Sequence, residues 1–159
     1  EEAFLAKYMK ELSKTFSYVC RIPIRFSKSR LAKYQMIFAT NHKHGVFLMA
    51  DSMIACKNKM ETDINKGQLS IFDYDRTLDR CEDVLLAEIP SKFIDIKDFY
   101  LDFYKHRGFL YLTKDMNNAI KQLEAEGKIE IVRVPQYTPQ GRPSKSMNFL
   151  KNSIKVRRK

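Results

Sequence analysis

No apolar run in these 159 residues approaches the length needed to cross a bilayer, and the N-terminus lacks a basic-then-apolar signal pattern. No membrane association is therefore expected. Cysteine is scarce: Cys20, Cys56 and Cys81 are odd in number, far apart and without any CxxC spacing, which argues against a disulfide framework and against a zinc site. A reducing cytoplasm is the expected compartment. The five glycines form no glycine-rich loop after a strand, as a cofactor site would require. No GxSxG-type motif surrounds any serine, so no catalytic residue is predicted. Internal repeats and low-complexity tracts are also missing. The chain starts Glu1-Glu2 without a methionine, which suggests a fragment of something longer or a trimmed chain.

What is present suffices for packed cores, since 44% of the residues are hydrophobic and 12% aromatic, in one domain or two small ones. Lys and Arg number 29 against 19 acids, a net charge of +10, and the distribution is more useful than the total. Residues 1–60 carry 11 basic and 4 acidic side chains, 61–100 carry 5 and 10, and 101–159 carry 13 and 5. Two basic blocks flank an acidic one. A basic surface favours phosphate backbones through counterion release, but excess charge is also a solubility device, so its sign alone does not establish a nucleic-acid partner.

Thr113 to Lys145 is the most informative stretch. Thr113 suits a helix N-cap, Asp115 suits the positive end of the dipole, and Gly127 suits a left-handed C-terminus. Leu112, Met116, Ile120 and Leu123 recur at helical spacing and would face a core. Lys114, Asn117, Asn118, Lys121 and Gln122 would then point outward, on a face rich in donors and without a carboxylate. Lys128 to Val134 alternates as a half-buried strand with Ile129, Ile131 and Val134 as its apolar members. Pro135 to Lys145 reads as an exposed loop, and Met147 to Leu150 as the returning strand. Two helices should precede this element. Thr77 would cap one holding Cys81, Val84, Leu85 and Ile89, stopped by Pro90; Asp95 would cap another with Phe99, Phe103 and Tyr100 inward, ended by Gly108. Three helices, a strand, a loop and a strand is the order of a winged helix-turn-helix, whose third helix enters the major groove.

The first sixty residues read differently. Ala3 to Leu12 is an amphipathic helix with Phe4, Leu5, Tyr8, Met9 and Leu12 on one face. Val19 to Phe26 is a strand with Cys20, Ile22, Ile24 and Phe26 on one side, and Pro23 restricts it to an edge or bulge. Tyr34 to Ala39 is apolar on both faces, as a strand inside a doubly covered sheet would be, and Ser27 to Lys33 suits an antiparallel connection. Asn41 would cap a helix from about Lys43 through Met53. Two strands alone cannot bury Tyr34 to Ala39 on both sides, so the missing neighbour would be upstream sequence or a second copy paired edge to edge. Glu61 to Asp75 is polar and acidic and reads as a linker.

Tyr34-Gln-Met-Ile-Phe-Ala-Thr-Asn-His-Lys-His-Gly45, followed by the Met49-Ala-Asp-Ser-Met53 helix, resembles the end of the methyltransferase-like domain in three-Cys-motif partner proteins. Leu123-Glu-Ala-Glu-Gly-Lys128 enters the wing in that family's manner. The resemblance spans nearly the whole chain. It implies an α+β chain: residues 1–60 as the C-terminal piece of a class I methyltransferase-like sheet, 61–76 as linker, and 77–159 as a winged helix-turn-helix. In that fold the last strand is inserted inside the sheet and its predecessor lies at the edge, which agrees with the independent reading of Pro23 and Tyr34 to Ala39. The departure is the missing glycine-rich loop. S-adenosylmethionine is therefore expected only in a full-length parent, and no cofactor in this fragment.

The outward helix stripe yields the candidate nucleic-acid site. Asn117, Asn118 and Gln122 would pair with base edges, Lys114 and Lys121 with phosphate, and Arg142 and Lys145 would flank the wing tip near a minor groove or backbone. Its plainer reading is a solvated face in a protein-binding winged helix. The tail, Lys155 and Arg157 to Lys159, adds non-specific affinity or is loose. In the linker, the run Gln68, Leu69, Ser70, Ile71 and Phe72 resembles the short peptides that dock on bacterial sliding clamps, with Gln68 fixing the backbone and the apolar members filling a pocket; otherwise Leu69, Ile71 and Phe72 pin the linker. His42 and His44 lack a third ligand and read as turn or cap residues, and His106 as a helix-dipole partner. The expected function is thus a DNA-binding module that targets a larger bacterial, phage or mobile-element protein to duplex DNA. The alternatives are part of an S-adenosylmethionine-dependent methyltransferase with its chemistry upstream, and a winged helix used for protein assembly.

Overall fold

The computed structural model describes residues 2–24, 34–65, 80–149 and 151–159. Among them the chain is α+β, with five helices and two small antiparallel sheets. The order is α1 (Glu2–Leu12), β1 (Tyr18–Ile24), β2 (Tyr34–Thr40), α2 (Lys43–Asn65), α3 (Cys81–Glu88), β3 (Ile94–Asp95), α4 (Ile96–Arg107), α5 (Thr113–Ala125), β4 (Ile129–Val134) and β5 (Ser153–Arg158). None of the described helices is long and apolar enough to cross a membrane. The chain divides into two compact units: Glu1–Asp75 with Phe103–Thr113, and Arg76–Asp102 with Lys114–Lys159. This division differs from the expected one in two respects. Helix α2 continues through residues 61–65 of the expected linker, and 103–113 groups with the first unit rather than the second.

In the first unit β1 and β2 pair antiparallel, from Tyr18 opposite Thr40 to Ile24 opposite Tyr34. Cys20 and Ile22, both buried, share a face with Phe38 and Met36, and Phe38 lies 6.5 Å from the Phe109 ring. On β1's outer edge the Phe109 N–H donates to the Arg21 carbonyl at 3.0 Å. That bond sets the parity of the ladder: Val19, Arg21 and Pro23 direct their backbone groups away from β2, so the N–H that Pro23 lacks removes no rung. By the same alternation Gln35, Ile37 and Ala39 turn theirs toward the far edge of β2, where no described strand pairs. Tyr34 is 56% and Met36 45% exposed, so these two strands alone leave part of β2 uncovered, as the sequence reading requires. Nor is the apolar face of α1 fully covered: Leu5 is buried, but Phe4 is 76% exposed.

Helix α2 packs on both strands, and its Val46, Phe47, Ala50, Met53 and Ile54 are buried. Its entry differs from the expected Asn41 cap. Thr40 Oγ1 accepts from the His42 N–H at 3.1 Å, while the Asn41 carboxamide accepts from Ser17 N at 2.8 Å and donates to Thr15 O at 3.4 Å. Asn41 therefore fastens the turn before β1. Tyr104 organises the remaining core of this unit. Its ring meets Phe47 at 6.3 Å and Phe109 at 5.4 Å edge-on, and its buried hydroxyl donates to Tyr111 O at 3.0 Å.

In the second unit Asp95 caps α4 as expected, accepting from the Lys97 N–H at 2.9 Å, and Phe99 and Tyr100 are buried. Two features depart from expectation. The two-residue strand β3 was not anticipated, and the return strand is not Met147 to Leu150 but β5, which lies between β3 and β4. Ile154 and Val156 are fully buried and alternate with Lys155 and Arg157, so the basic tail is the central strand of the sheet. Met147 is instead a buried loop residue, Phe149 meets Tyr100 edge-on at 5.5 Å, and Lys151 and Asn152 turn back onto Asn148 O. On β4 the inward positions are Ile129, Ile131 and Arg133; Val134 faces out, 59% exposed. The helix cap expected at Thr77 lies outside the described residues.

Gly108 ends α4 at φ +78, and a Cβ placed there would lie 2.6 Å from the Arg21 carbonyl oxygen. Gly127 at φ +70 has nothing within 4 Å of such a Cβ. Gly127→Ala should therefore cost only the left-handed penalty, roughly 1–2 kcal/mol. Gly108→Ala should cost distinctly more, because backbone must move, and the difference is read from denaturant midpoints of the two variants.

A candidate nucleic-acid interface on helix α5 and the following hairpin loop

Helix α5 is closed at both ends by identifiable groups. Thr113 is its first residue, and the Thr113 N–H donates to Asp51 Oδ1 at 2.8 Å, so the cap comes from α2 rather than from the Thr113 hydroxyl as expected. That hydroxyl lies 3.4 Å from the Tyr104 hydroxyl. At the C-terminus Gly127 N donates to Glu124 O and Lys128 N to Leu123 O, both at 3.0 Å, the double closure that a left-handed glycine permits. Met116, Ala119, Ile120 and Leu123 are buried, as helical spacing requires.

The outward stripe separates into two groups. Lys114, Asn118 and Lys121 are exposed, and their side chains have no bonded partner among the described residues. Asn117 is half-buried, and its Oδ1 accepts from the buried Tyr100 hydroxyl at 3.0 Å. Gln122 is exposed, but its Nε2 donates to Glu126 Oε1 at 2.9 Å, and Glu126 in turn pairs with Lys128 at 2.7 Å. Hydrogen bonds from Lys128 and Gln122 hold the Glu126 carboxyl below the usual range, and the bond to Glu126 raises the Lys128 ammonium. The expected absence of carboxylates therefore fails at the C-terminal end of the face. Asp115 is also exposed, in the first turn.

The loop between β4 and β5 is an ordered hairpin at its tip. Ser144 N donates to Gln136 O at 2.7 Å, Thr138 N to Arg142 O at 2.8 Å and Gly141 N to Thr138 O at 2.9 Å, with Gly141 at φ +75. Arg142 and Lys145 are exposed, and neither side chain has an acidic partner among the described residues. At the base of the loop Arg133, 9% exposed, makes two 2.6 Å bonds to Glu124 of α5 and a 3.3 Å bond from Nε to Ser146 O. This ion pair was not anticipated. The available signal was an arginine at the third inward position of a period-two strand, after Ile129 and Ile131.

Other candidates contribute no site. The clamp-like peptide, Gln68, Leu69, Ser70, Ile71 and Phe72, lies wholly outside the described residues. His42, His44 and His106 are exposed, and no cluster of three potential metal ligands occurs among the described residues. Burial pushes the Cys20 thiol up to about 12, partly offset by Lys105. The Cys81 thiol reaches about 12 through burial, then through Glu82 and Asp115. Cys56 is exposed. Comparison of the sequence and structure with protein-family models, curated proteins and solved structures finds no match.

Two outcomes follow from this geometry. Glu124→Ala leaves a buried guanidinium with one carbonyl partner and should cost roughly 2–4 kcal/mol, most of it recovered when Arg133→Met is added, as a double-mutant cycle by urea denaturation would show. In the native protein a thiol-disulfide reagent at pH 8 should modify one cysteine rapidly, and Cys56→Ser should remove that phase while leaving the slow ones.

Proposed function

We propose that the second unit is a winged helix-turn-helix that binds duplex DNA, with α5 in the major groove and the 135–145 hairpin against the adjacent backbone or minor groove. The observation that carries this reading is the Lys114, Asn118, Lys121 stripe, exposed and without acidic partners among the described residues, in the same compact unit as an ordered loop carrying Arg142 and Lys145. The element order α3, β3, α4, α5, β4, β5 with β5 central supports it, as does the exposure of Lys114, Asn118 and Lys121 on the third helix of that order. Phosphate contact needs cations with no internal partner, and base contact needs a side-chain amide in between; among the described residues the stripe supplies two such cations and Asn118 between them.

For the first unit we propose the end of a larger methyltransferase-like sheet. The edge of β2 that pairs with no described strand, and the exposure of Tyr34 and Met36, support a further pairing strand, from elsewhere in a parent protein or from residues 34–39 of a second copy. No chemical step is proposed for this chain; S-adenosylmethionine binding belongs to such a parent. A protein-assembly role for the second unit is the competing reading, favoured by the outward Val134 and Tyr137 on and beside β4.

Titration of the whole chain against a fluorescent duplex separates these readings. Binding should weaken steeply with salt, and Lys121→Glu with Arg142→Glu should lower the log–log slope by about 2 while leaving the melting temperature unchanged. Salt-independent binding, or a double variant with wild-type affinity, would sink the DNA reading.

A further inference from the structure

We infer that within α5 the reading of sequence falls to one side chain, Asn118, and that the base it selects is adenine in the major groove. This rests on the DNA-binding reading above. Three amides were candidates for base contact, and internal bonding separates them. Asn117 accepts the hydroxyl of Tyr100, whose ring is fully buried; drawing the amide into a groove would break that hydrogen bond. Gln122 donates to Glu126, so a base edge approaching it meets a carboxylate whose charge is disfavoured beside phosphate. Asn118 is exposed, and its carboxamide has no partner among the described residues.

Its flanks favour the same assignment. Lys114 lies four residues before Asn118 and Lys121 three after, so both cations share its helix face, one turn to either side. With the two longer ammonium groups engaging phosphate on either side of it, the shorter carboxamide is the group left to meet a base edge. A carboxamide offers one acceptor and one donor in a plane, the complement of the adenine N6 amine and N7. Guanine presents two acceptors on the same edge and cannot satisfy the carboxamide oxygen.

Selection from a random duplex library with the intact chain tests the assignment. Wild type should enrich a motif with an adenine position, and Asn118→Ala should erase preference there, with a loss of about 10- to 100-fold in discrimination. Its affinity for unrelated duplex, salt slope and melting temperature should remain unchanged, since the residue is exposed and uncharged. A variant that keeps the preference, loss of preference for a base other than adenine, or the same loss from Gln122→Ala would overturn the inference and leave DNA binding standing. So would wild-type binding without any sequence preference. No salt-dependent duplex binding by wild type would overturn the DNA reading itself, and the inference with it.

Discussion

Both terminal nitrogens of the Arg133 guanidinium bond Glu124 at 2.6 Å, its Nε reaches the Ser146 carbonyl at 3.3 Å, and Met147 Sδ lies 3.9 Å away. These partners belong to two separate parts of the second unit, α5 and the returning arm of the hairpin loop, and Arg133 joins them from the last helix-facing position of β4. A cation buried to this extent is tolerated only when its planar donors are satisfied together, and a lysine, a point charge, would not span them. One group therefore ties the direction in which the hairpin leaves β4 to the position of the helix beside it. Glu124 sits one residue after Leu123, the last fully buried position of α5, so the same turn that seals the core supplies the counter-charge.

The two faces of α5 are consequently not independent. Its inner face is committed to Met116, Ala119, Ile120 and Leu123, and the margins of that face reach further round the helix than apolar residues alone reveal. At one margin Asn117 serves the Tyr100 hydroxyl; toward the C-terminus Gln122 is drawn into the charged turn of Glu126 and Lys128. What remains for a partner is narrower than the outward set: Lys114, Asn118 and Lys121. A surface helix read only from periodicity overstates its exposed chemistry, because a half-buried amide counts as polar in the pattern and as structural in the fold.

The parts of this fold legible in the residues are those with a local physical cause. Asp95 caps α4, Gly108 and Gly127 end helices in left-handed conformations, and the apolar spacing of α5 predicts its buried side. Non-local causes were not legible. Strand β3 is two residues long and exists only because β5 pairs with it. Met147 to Leu150 has the composition of a strand, but the period-two run that fills the sheet is Ser153–Arg158, whose charges on alternate positions disguise it as a loose tail. Arg157 shows why that charge is tolerable: it bonds Glu130 at 2.6 Å on the adjacent strand and lies 4.5 Å over the Phe93 ring. Nothing local announces that Asn41 fastens a distant turn or that Asp51 caps α5.

The hairpin of the first unit shows how unequal its two edges are. On β1 the outward positions hold Pro23, which has no N–H to leave open, and Arg21, whose carbonyl is taken by Phe109. Edge strands are commonly protected in this way, by proline, by charge or by a covering segment. On β2 the outward positions are Gln35, Ile37 and Ala39, and the strand from Tyr34 to Thr40 contains no charged residue, proline or glycine. The Gln35 Oε1 is buried without a hydrogen-bond partner among the described residues. A seven-residue strand that is apolar on both faces and unpaired along one edge among the described residues has the features of an interior strand, and its two exposed side chains, Tyr34 and Met36, lie on a single face. A neighbour hydrogen-bonded at Gln35, Ile37 and Ala39 would place its own side chains beside both of them, whereas a helix laid on the face would leave those three backbone positions unpaired.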